Sequence, residues 1–228
     1  VEITNIFMEC TLAAAAKKTI ATADIGSDYL NADLDTQIHM KLDREVAEVL
    51  VRYYPQYATF VDENGFIIVE LKKSLYGCKQ SALQWYNHMK NTLQTMGYTP
   101  NIYDQCVFEG VDGSTILLYV DDLMIFANSD DELLSMIGKL KDAYGDVTYD
   151  IGIKHSYLGM TFVFEDEEVK VNMDGYIANL TVSTNGTSST PAGSDLFVDE
   201  ETTLLSPIQQ KELHTTVAKL LFLATRVR

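Results

Sequence analysis

The sequence predicts an α+β fold in which an antiparallel sheet is backed by helices on one face. Residues 116–127 are strongly apolar and are interrupted only by Asp121 and Asp122, which predicts two buried strands joined by a tight turn. Segments with apolar residues at helical spacing alternate with short strand-like segments. Because several of the strand-like segments can pair as hairpins, the pattern favours an antiparallel sheet.

The first hundred residues supply three predicted helices and several strands. Apolar residues at helical spacing predict helices over 3–18, 45–54 and 80–96, the last of them ended by Gly97. Strands are predicted over 20–25 and 38–42, and Ser27 is a candidate cap for a turn at 27–31. Segments 57–61 and 66–71 flank an Asn-Gly pair and predict a hairpin.

The second half continues the same alternation. Further strands are predicted over 106–108, 147–149, 157–164 and 168–173, and a helix with an Asp130 cap over 130–144. Residues 183–206 are rich in Ser, Thr and Gly, which is typical of a linker. An apolar helix is expected beyond Pro207.

Composition narrows the class of protein. The chain has 228 residues, of which 46% are hydrophobic, and this is enough for a sizeable core. No apolar run approaches the ~18 residues of a membrane span, and residues 1–16 lack the basic flank of a signal peptide, so no membrane partner is expected. The three cysteines are widely spaced and predict reduced thiols in an intracellular protein.

Charge points away from one large class of partners. The net charge is −16, whereas proteins that bind nucleic acids usually carry a basic surface. The four histidines do not have the spacing of zinc ligands. By itself, the overall charge therefore argues against a nucleic-acid partner.

The two adjacent carboxylates of the apolar hairpin have two interpretations. Asp121 and Asp122 can be simply an acidic turn, and a bare Asp-Asp pair between strands is more often just that. Neighbouring carboxylates also repel each other and contribute nothing to a core, so a divalent cation is the usual partner for them. Hard oxygen ligands suit Mg²⁺. The surrounding motif decides between the two interpretations.

The motif Tyr119-Val120-Asp121-Asp122 resembles the catalytic motif of reverse transcriptases. Five further stretches occur in the order found in the reverse transcriptase of copia-like LTR retrotransposons. They are residues 22–31, residues 38–40, residues 71–81 with Trp85 and Tyr86, residues 150–152 with 157–160, and Ser189-Thr190-Pro191 followed by the helix through Leu221. The stretch Leu75-Tyr76-Gly77-Cys78-Lys79-Gln80 is the most specific of them.

This resemblance implies a right-hand polymerase palm with partial fingers and a C-terminal thumb or connection segment. The corresponding domains are a palm with partial fingers over 1–165, the start of a thumb-like region over 166–182, a linker over 183–206 and a helix over 207–228 that leads toward an RNase H domain. A fingers segment with basic residues would precede Asp24 in a longer chain.

The resemblance also implies the roles of individual residues. Asp24, Asp121 and Asp122 match the catalytic carboxylates, which with the carbonyl of Ile25 would hold two Mg²⁺ ions, with Mn²⁺ as a substitute. The residues that match the nucleotide-binding pocket are Ile25, Tyr29, Tyr76, Gly77, Lys79 and Gln80. The residues that match the primer-binding positions are Tyr119, Leu158, Gly159 and Met160.

Several of these residues have a purely structural alternative. Tyr29 could be a core aromatic, and Leu158-Gly159-Met160 could be packing within a hairpin. For Lys72 and Lys73, a solvated strand end is as well supported as a phosphate contact. A buried anchor of its helix is favoured over any ligand role for Trp85.

The implied function is RNA-directed DNA polymerisation. Its partners would be an RNA template, a DNA or tRNA primer, deoxynucleoside triphosphates, and the RNase H and integrase regions of the same polyprotein, in the cytoplasm within virus-like particles. The family pattern is broken at Ala32, Ala82 and Leu83, where it commonly has Gly, Pro and Arg. An inactive palm-fold remnant that serves as an interaction module is the alternative, and a nucleotide cyclase is a weaker one.

Overall fold

The computed structural model describes residues 1–180, Ser189 and residues 205–227. Most of the predicted 183–206 linker, with Thr190 and Pro191 of the predicted motif, lies outside the described residues. In chain order the elements are α1 (Ile3–Ala15), β1 (Thr19–Ile25), α2 (Asp28–Asn31), β2 (Asp33–Leu42), α3 (Arg44–Tyr53), a 3-10 helix (Pro55–Phe60), β3 (Ile67–Lys73), α4 (Ser81–Thr95), β4 (Tyr98–Pro100), β5 (Val107–Gly110), β6 (Thr115–Tyr119), β7 (Asp122–Ala127), α5 (Asp130–Tyr144), β8 (Val147–Ile151), β9 (Lys154–Tyr157), β10 (Met160–Glu165), β11 (Glu168–Asn172), α6 (Asp174–Ala178) and α7 (Pro207–Ala224).

The chain divides into two compact units. The first unit is Val1–Gly152 and the second is Ile153–Arg228. This division falls earlier than the predicted palm boundary at residue 165. Within the ranges that the structure describes, no helix is long and apolar enough to cross a membrane.

The first unit is built on a six-stranded sheet with the order β4-β5-β6-β7-β1-β8. Every neighbouring pair in this sheet is antiparallel, as the sequence predicted. Most residues of the central strands β6 and β7 are buried because they are apolar on both faces, whereas β1 carries Thr22 and the exposed Asp24 on one of its faces. β4, a strand of three residues, was not predicted from the sequence.

Helices α4 and α5 cover one face of this sheet. Their buried side chains share one core with alternate strand residues such as Ala23, Leu118 and Ile125. The opposite face carries Met124, whose sulfur lies 3.7 Å from the sulfur of Cys10 in α1. The expectation that helices lie on one face only is therefore wrong, because α1 covers part of the second face.

The first unit also contains a separate two-stranded sheet formed by β2 and β3. The predicted hairpin of 57–61 with 66–71 is wrong, since residues 55–60 form the 3-10 helix and β3 pairs with β2. The turn itself does form, with Asp62 accepting hydrogen bonds from the backbone of Asn64 and Phe66 and with Gly65 at a φ of 84°. Pro55, at the start of the short helix, removes a backbone donor that a strand would need.

Two predicted helix caps are also wrong. Ser27 has a φ of 56° and its side chain makes no capping hydrogen bond. Helix α5 is capped by Ser129, whose hydroxyl accepts from the backbone N–H of Glu132, and Asp130 is already its first residue. The end of α4 is as predicted, with Gly97 in the left-handed region at a φ of 99°.

The second unit holds a three-stranded sheet with the order β11-β10-β9. The predicted strand over 157–164 is two strands, because Leu158 and Gly159 form a turn between them. In α7, the ring of Phe222 packs 5.0 Å from that of Tyr176 in α6. The apolar residues Leu213, Val217 and Leu221 of α7 are exposed.

The buried sheet makes a testable prediction about stability. Ile125 is 0% exposed in the central strand β7, whereas Ile68 is 59% exposed in β3. We expect Ile125→Ala to lower the free energy of unfolding by about 3–4 kcal/mol, because it leaves a cavity in a packed core. The matched change Ile68→Ala should cost less than about 1 kcal/mol. Urea unfolding followed by circular dichroism measures both, and equal losses would contradict this description of the core.

Candidate active site

The site forms around the turn that joins β6 to β7. Tyr119 and Asp122 are paired across the hairpin, which leaves Val120 and Asp121 as a two-residue loop. Val120 has a φ of 58°, in the left-handed region. A β-branched residue in that region is strained by about 1–2 kcal/mol, and hairpin loops of this length usually place glycine there. The turn is therefore held in a conformation that its own residues disfavour.

The first strand of the sheet brings a third carboxylate to this turn. Asp24 is the direct partner of Asp122 in the antiparallel pairing of β1 with β7. The backbone N–H of Ile25 donates to the carbonyl oxygen of Asp121 at 3.3 Å. Residues directly opposite each other in such a pair have Cβ atoms about 4.5–5.5 Å apart. The register therefore places the three predicted catalytic carboxylates in one cluster.

The carboxylate cluster lies on a sheet face that is open to solvent at this point. Asp24 and Asp122 lie on the sheet face that carries Met124, because they are two residues away along their strands from other residues of that face. Helix α1 covers the part of the face around Met124. Asp24 is exposed, and Asp121 and Asp122 are partly exposed.

Electrostatic repulsion within the cluster is uncompensated. Partial burial raises the pKa of the Asp24 carboxyl, and the charges of Asp121 and Asp146 raise it further. Burial and then the charges of Asp121 and Asp24 raise the pKa of Asp122 in the same way. In the part of the chain that the structure describes, no basic side chain is among the causes of either shift. A bound cation would relieve this repulsion.

Two further carboxylates of the cluster were missed by sequence reasoning. Burial raises the pKa of Asp28 in α2, with a smaller contribution from the charges of Asp121 and Asp24. Asp146 follows α5, and its backbone carbonyl accepts from the N–H of Gly26 at 2.9 Å. Its carboxylate lies where a side chain at Gly26 would be, so a larger residue there would have to displace the carboxylate of Asp146. Asp28 lies only four residues after Asp24, and this short spacing could have suggested it as a member of the cluster. Nothing in the sequence around Asp146 suggests the same.

The donor set fits a hard divalent cation. Asp24, Asp121 and Asp122 offer carboxylate oxygens, which Mg²⁺ prefers, and their mutual repulsion makes binding of a cation favourable. Among residues 1–180 and 205–227, however, no three acidic, histidine or cysteine side chains already converge as ligands. The side chains would therefore have to turn inward when an ion binds.

The predicted nucleotide-binding residues lie in two groups. Tyr29, in α2, has its ring centroid 6.1 Å from that of Tyr76. Burial raises the pKa of the Tyr29 hydroxyl, followed by the charges of Asp28 and Asp121, so the ring lies beside the carboxylates. Tyr29 is half-buried and packs against the core behind α4 and α5, so part of its ring has the structural role that the sequence left open, whereas Tyr76 is 86% exposed.

The remaining nucleotide-binding candidates form the loop between β3 and α4. Gly77 has a φ of 100°, and Lys79 is exposed. The hydroxyl of Ser81 accepts from the N–H of Leu75 and donates to its carbonyl, which pins the loop to the start of α4. Gln80 donates to the hydroxyl of Thr36 at 3.4 Å.

The two lysines that end β3 are engaged in exposed ion pairs. Lys72 lies 2.9 Å from Glu70, and Lys73 lies 2.7 Å from Asp33. Lys73 therefore also links β3 to the start of β2. These contacts favour the solvated strand end over a phosphate contact for both residues.

The predicted primer-binding residues are divided between the units. Tyr119 ends β6 and is exposed, next to the turn of Val120 and Asp121. In the second unit, Leu158 and Gly159 have φ angles of 50° and 79° and form the two-residue turn between β9 and β10. Met160 is 0% exposed, so neither its side chain nor its backbone is open to a ligand in this structure, which favours packing for this residue.

The chain matches the sequence model of one known protein family. A family model described as reverse transcriptase (RNA-dependent DNA polymerase) matches residues 1–194. The chain belongs to this reverse transcriptase family. The assignment made from the Tyr-Val-Asp-Asp motif and the five other stretches is confirmed.

Relatives of this reverse transcriptase chain are parts of long polyproteins. The transposon Ty1-DR4 Gag-Pol polyprotein of Saccharomyces cerevisiae is 27% identical over 222 residues, which are 91% of this chain and 13% of that protein. The retrovirus-related Pol polyprotein from transposon TNT 1-94 of Nicotiana tabacum is 26% identical over 202 residues, which are 86% and 14%. The chain thus spans only about an eighth of each of these relatives.

A solved structure is also similar in part. The apo telomerase of Candida tropicalis, truncated from its C-terminal domain, matches with a TM-score of 0.43 and 12% sequence identity. The match covers 75% of this chain and 39% of the telomerase chain.

The electrostatics of the cluster predict how metal-free stability depends on pH. The pKa of Asp122 is raised in the folded protein, so folding favours its protonated form and the associated stability is lost as pH rises above ~3.9 through the raised pKa. Asp122→Asn removes this loss. We expect the melting temperature of the variant, relative to wild type, to increase by about 1–2 °C between pH 3.5 and 7 in EDTA.

Scanning calorimetry over this pH range measures the difference. Asp35→Asn, at an exposed position of β2, is the matched control and should show no such trend. Added Mg²⁺ should raise the melting temperature of wild type more than that of Asp122→Asn. A variant that is less stable than wild type at pH 7 without metal would contradict the repulsion described above.

Proposed function

We propose that this chain is the palm region of an RNA-directed DNA polymerase from a copia-like retrotransposon. The observation that carries the proposal is the register that sets Asp24 opposite Asp122, beside the strained turn that holds Asp121. Membership of the reverse transcriptase family supports it. The reaction is attack of a primer 3′-hydroxyl on the α-phosphate of a deoxynucleotide, with pyrophosphate as the leaving group.

The carboxylate cluster is the proposed metal site. Asp24 and Asp121 would hold two Mg²⁺ ions, with Asp122 as a third and less direct ligand and the carbonyl of Ile25 as a further donor. When bound, such ions lower the pKa of the attacking hydroxyl and neutralise charge on the pyrophosphate. The chain's own contribution is to hold the backbone of the carboxylates fixed at the ends of the central strands, so that only their side chains need to turn inward around the ions.

The residues around the cluster would position the substrates. Tyr29 would lie under the deoxyribose and leave no room for a 2′-hydroxyl, and the loop of Tyr76, Gly77, Lys79 and Gln80 would form the pocket over the nucleotide and the template base. Tyr119 and the turn of Leu158 and Gly159 would each contact the primer, with the buried Met160 packing behind that turn. The proximity of Tyr29 to Tyr76 supports a shared pocket in the first unit.

The remaining proposals concern partners and location. RNA template, a DNA or tRNA primer and deoxynucleotides would be the substrates, and the RNase H and integrase regions of the same polyprotein would be covalent neighbours. The site of action would be the cytoplasm, within virus-like particles. The domain limits of a palm to residue 165, a thumb-like start to 182, a linker to 206 and a terminal helix belong to the same proposal.

The primary test is extension of an oligo(dT) primer on poly(rA), with dTTP and Mg²⁺ at low salt. Wild type should extend the primer, and Asp121→Asn should reduce the rate at least about a hundredfold because a metal ligand is lost. Its melting temperature should change by less than about 2 °C, since the side chain is partly exposed and contributes no core packing.

Two outcomes would contradict this proposal. Failure of folded wild-type protein to extend the primer would favour the inactive palm-fold remnant. Strong destabilisation by Asp121→Asn would indicate that the carboxylate has a structural role. Asp35→Asn again serves as the control and should retain full activity.

The proposed role of Tyr29 predicts a change in sugar selectivity. Tyr29→Ala should lower the preference for dTTP over UTP by about 10- to 100-fold, because the ring that excludes the 2′-hydroxyl is removed. Competition between the two nucleotides in single-turnover extension measures this preference. Tyr103→Ala, at a residue that is 91% exposed, should leave it unchanged. An unchanged preference in Tyr29→Ala would assign the ring to packing.

A further inference from the structure

Trp85 is hydrogen-bonded to the catalytic turn from the core behind it. Its indole N–H donates to the backbone carbonyl of Val120, with a nitrogen–oxygen distance of 2.6 Å. Trp85 is 1% exposed, so its donor is shielded from water, whereas Val120 is 39% exposed. Val120 is the residue whose φ of 58° places the turn in the left-handed region.

A layer of aromatic side chains fixes the orientation of the indole. Its ring is stacked on that of His88 at 6.0 Å and meets the ring of Tyr144 edge-on at 5.5 Å. The hydroxyl of Tyr144 donates in turn to that of Thr92 at 2.9 Å. The indole of α4 is therefore packed between the ring of His88, one turn further along α4, and the ring of Tyr144 in α5, and these contacts restrict its rotation.

The bond from Trp85 restrains the peptide that joins Val120 to Asp121. Without this bond, the peptide can rotate through the ψ angle of Val120 and the φ angle of Asp121, which are the two soft dihedral angles beside it. Rotation would change the direction of the Asp121 side chain and the hydrogen bond from Ile25 to the Asp121 carbonyl. The bond from Trp85 therefore acts on the carboxylate cluster through the backbone.

We propose that Trp85 is a positioning residue for the catalytic carboxylates, because its indole N–H holds the Val120 carbonyl and so fixes the direction in which Asp121 and Asp122 face the metal. This proposal for Trp85 rests on the proposed metal site. It gives the side chain a role beyond that of a buried anchor of α4. Trp85 touches neither metal nor substrate.

The chain supplies its own probe for this proposal, since Trp85 is the only tryptophan. The indole N–H of wild type should give one resonance in a nitrogen–proton correlation spectrum, protected from exchange with solvent. Mg²⁺ should shift this resonance, and paramagnetic Mn²⁺ should broaden it. Neither change should occur in Asp121→Asn. If neither the position nor the width of this resonance changes with either ion in wild type, the proposal is overturned.

The decisive variant is Trp85→Phe, which keeps a buried aromatic ring and removes the donor. Mn²⁺ affinity, followed by electron paramagnetic resonance, should fall about five- to tenfold, as expected for one lost hydrogen bond. In primer extension, kcat should fall by at least a similar factor while the KM for dTTP changes little. Tyr98→Phe is the matched control, because Tyr98 is a buried aromatic of the same core and the change removes the contacts of its hydroxyl with Ser114 and the sulfur of Met136.

A comparison of the two variants separates positioning from packing. Both should lower the melting temperature, but only Trp85→Phe should weaken Mn²⁺ binding. Equal Mn²⁺ affinities in wild type and Trp85→Phe would overturn the proposal, whatever the change in stability. An indole that responds to the ions in a protein without primer extension would contradict the polymerase and still support the role of Trp85.

Discussion

The structure depends on a backbone register that forces like charges together. The pairing of β1 with β7 sets Asp24 opposite Asp122, and the two-residue turn adds Asp121. Repulsion and burial raise the pKa of Asp24 and of Asp122, so the arrangement opposes folding near neutral pH. It persists because the same strands bury Ile116, Leu118 and Ile125 completely or nearly so, and the core stabilises the sheet by more than the carboxylates destabilise it.

The division of labour between the two sheet faces follows from strand alternation. Residues of β7 that face α4 and α5 are apolar without exception, whereas the other face changes from Phe126 and Met124 to Asp122 along one strand. Helix α1 covers the apolar part of that face. A shift of one residue in the register would move Asp122 into the core and Leu123 to the surface, so the position of the carboxylates and the stability of the fold are one property.

Much of this site could be predicted because its residues carry strong local patterns. The apolar frame around Asp121 and Asp122 predicted the hairpin, and family resemblance supplied Asp24, which lies far away in the sequence. The position of α1 could not be predicted, since helical spacing shows that a helix is amphipathic and not which sheet face it covers. The strand predicted over residues 57–61 was wrong because a few apolar residues after a proline suit a strand or a 3-10 helix equally well.

The positions of the acidic residues explain part of the net charge of −16. Five carboxylates gather around the turn of Val120 and Asp121, where the divalent cation of the proposed metal site would offset them. Lys72 and Lys73 do not offset them, because both are engaged in exposed ion pairs with Glu70 and Asp33. Part of the negative charge is therefore concentrated at one site, where a cation stabilises it, and does not only reflect a uniformly acidic surface.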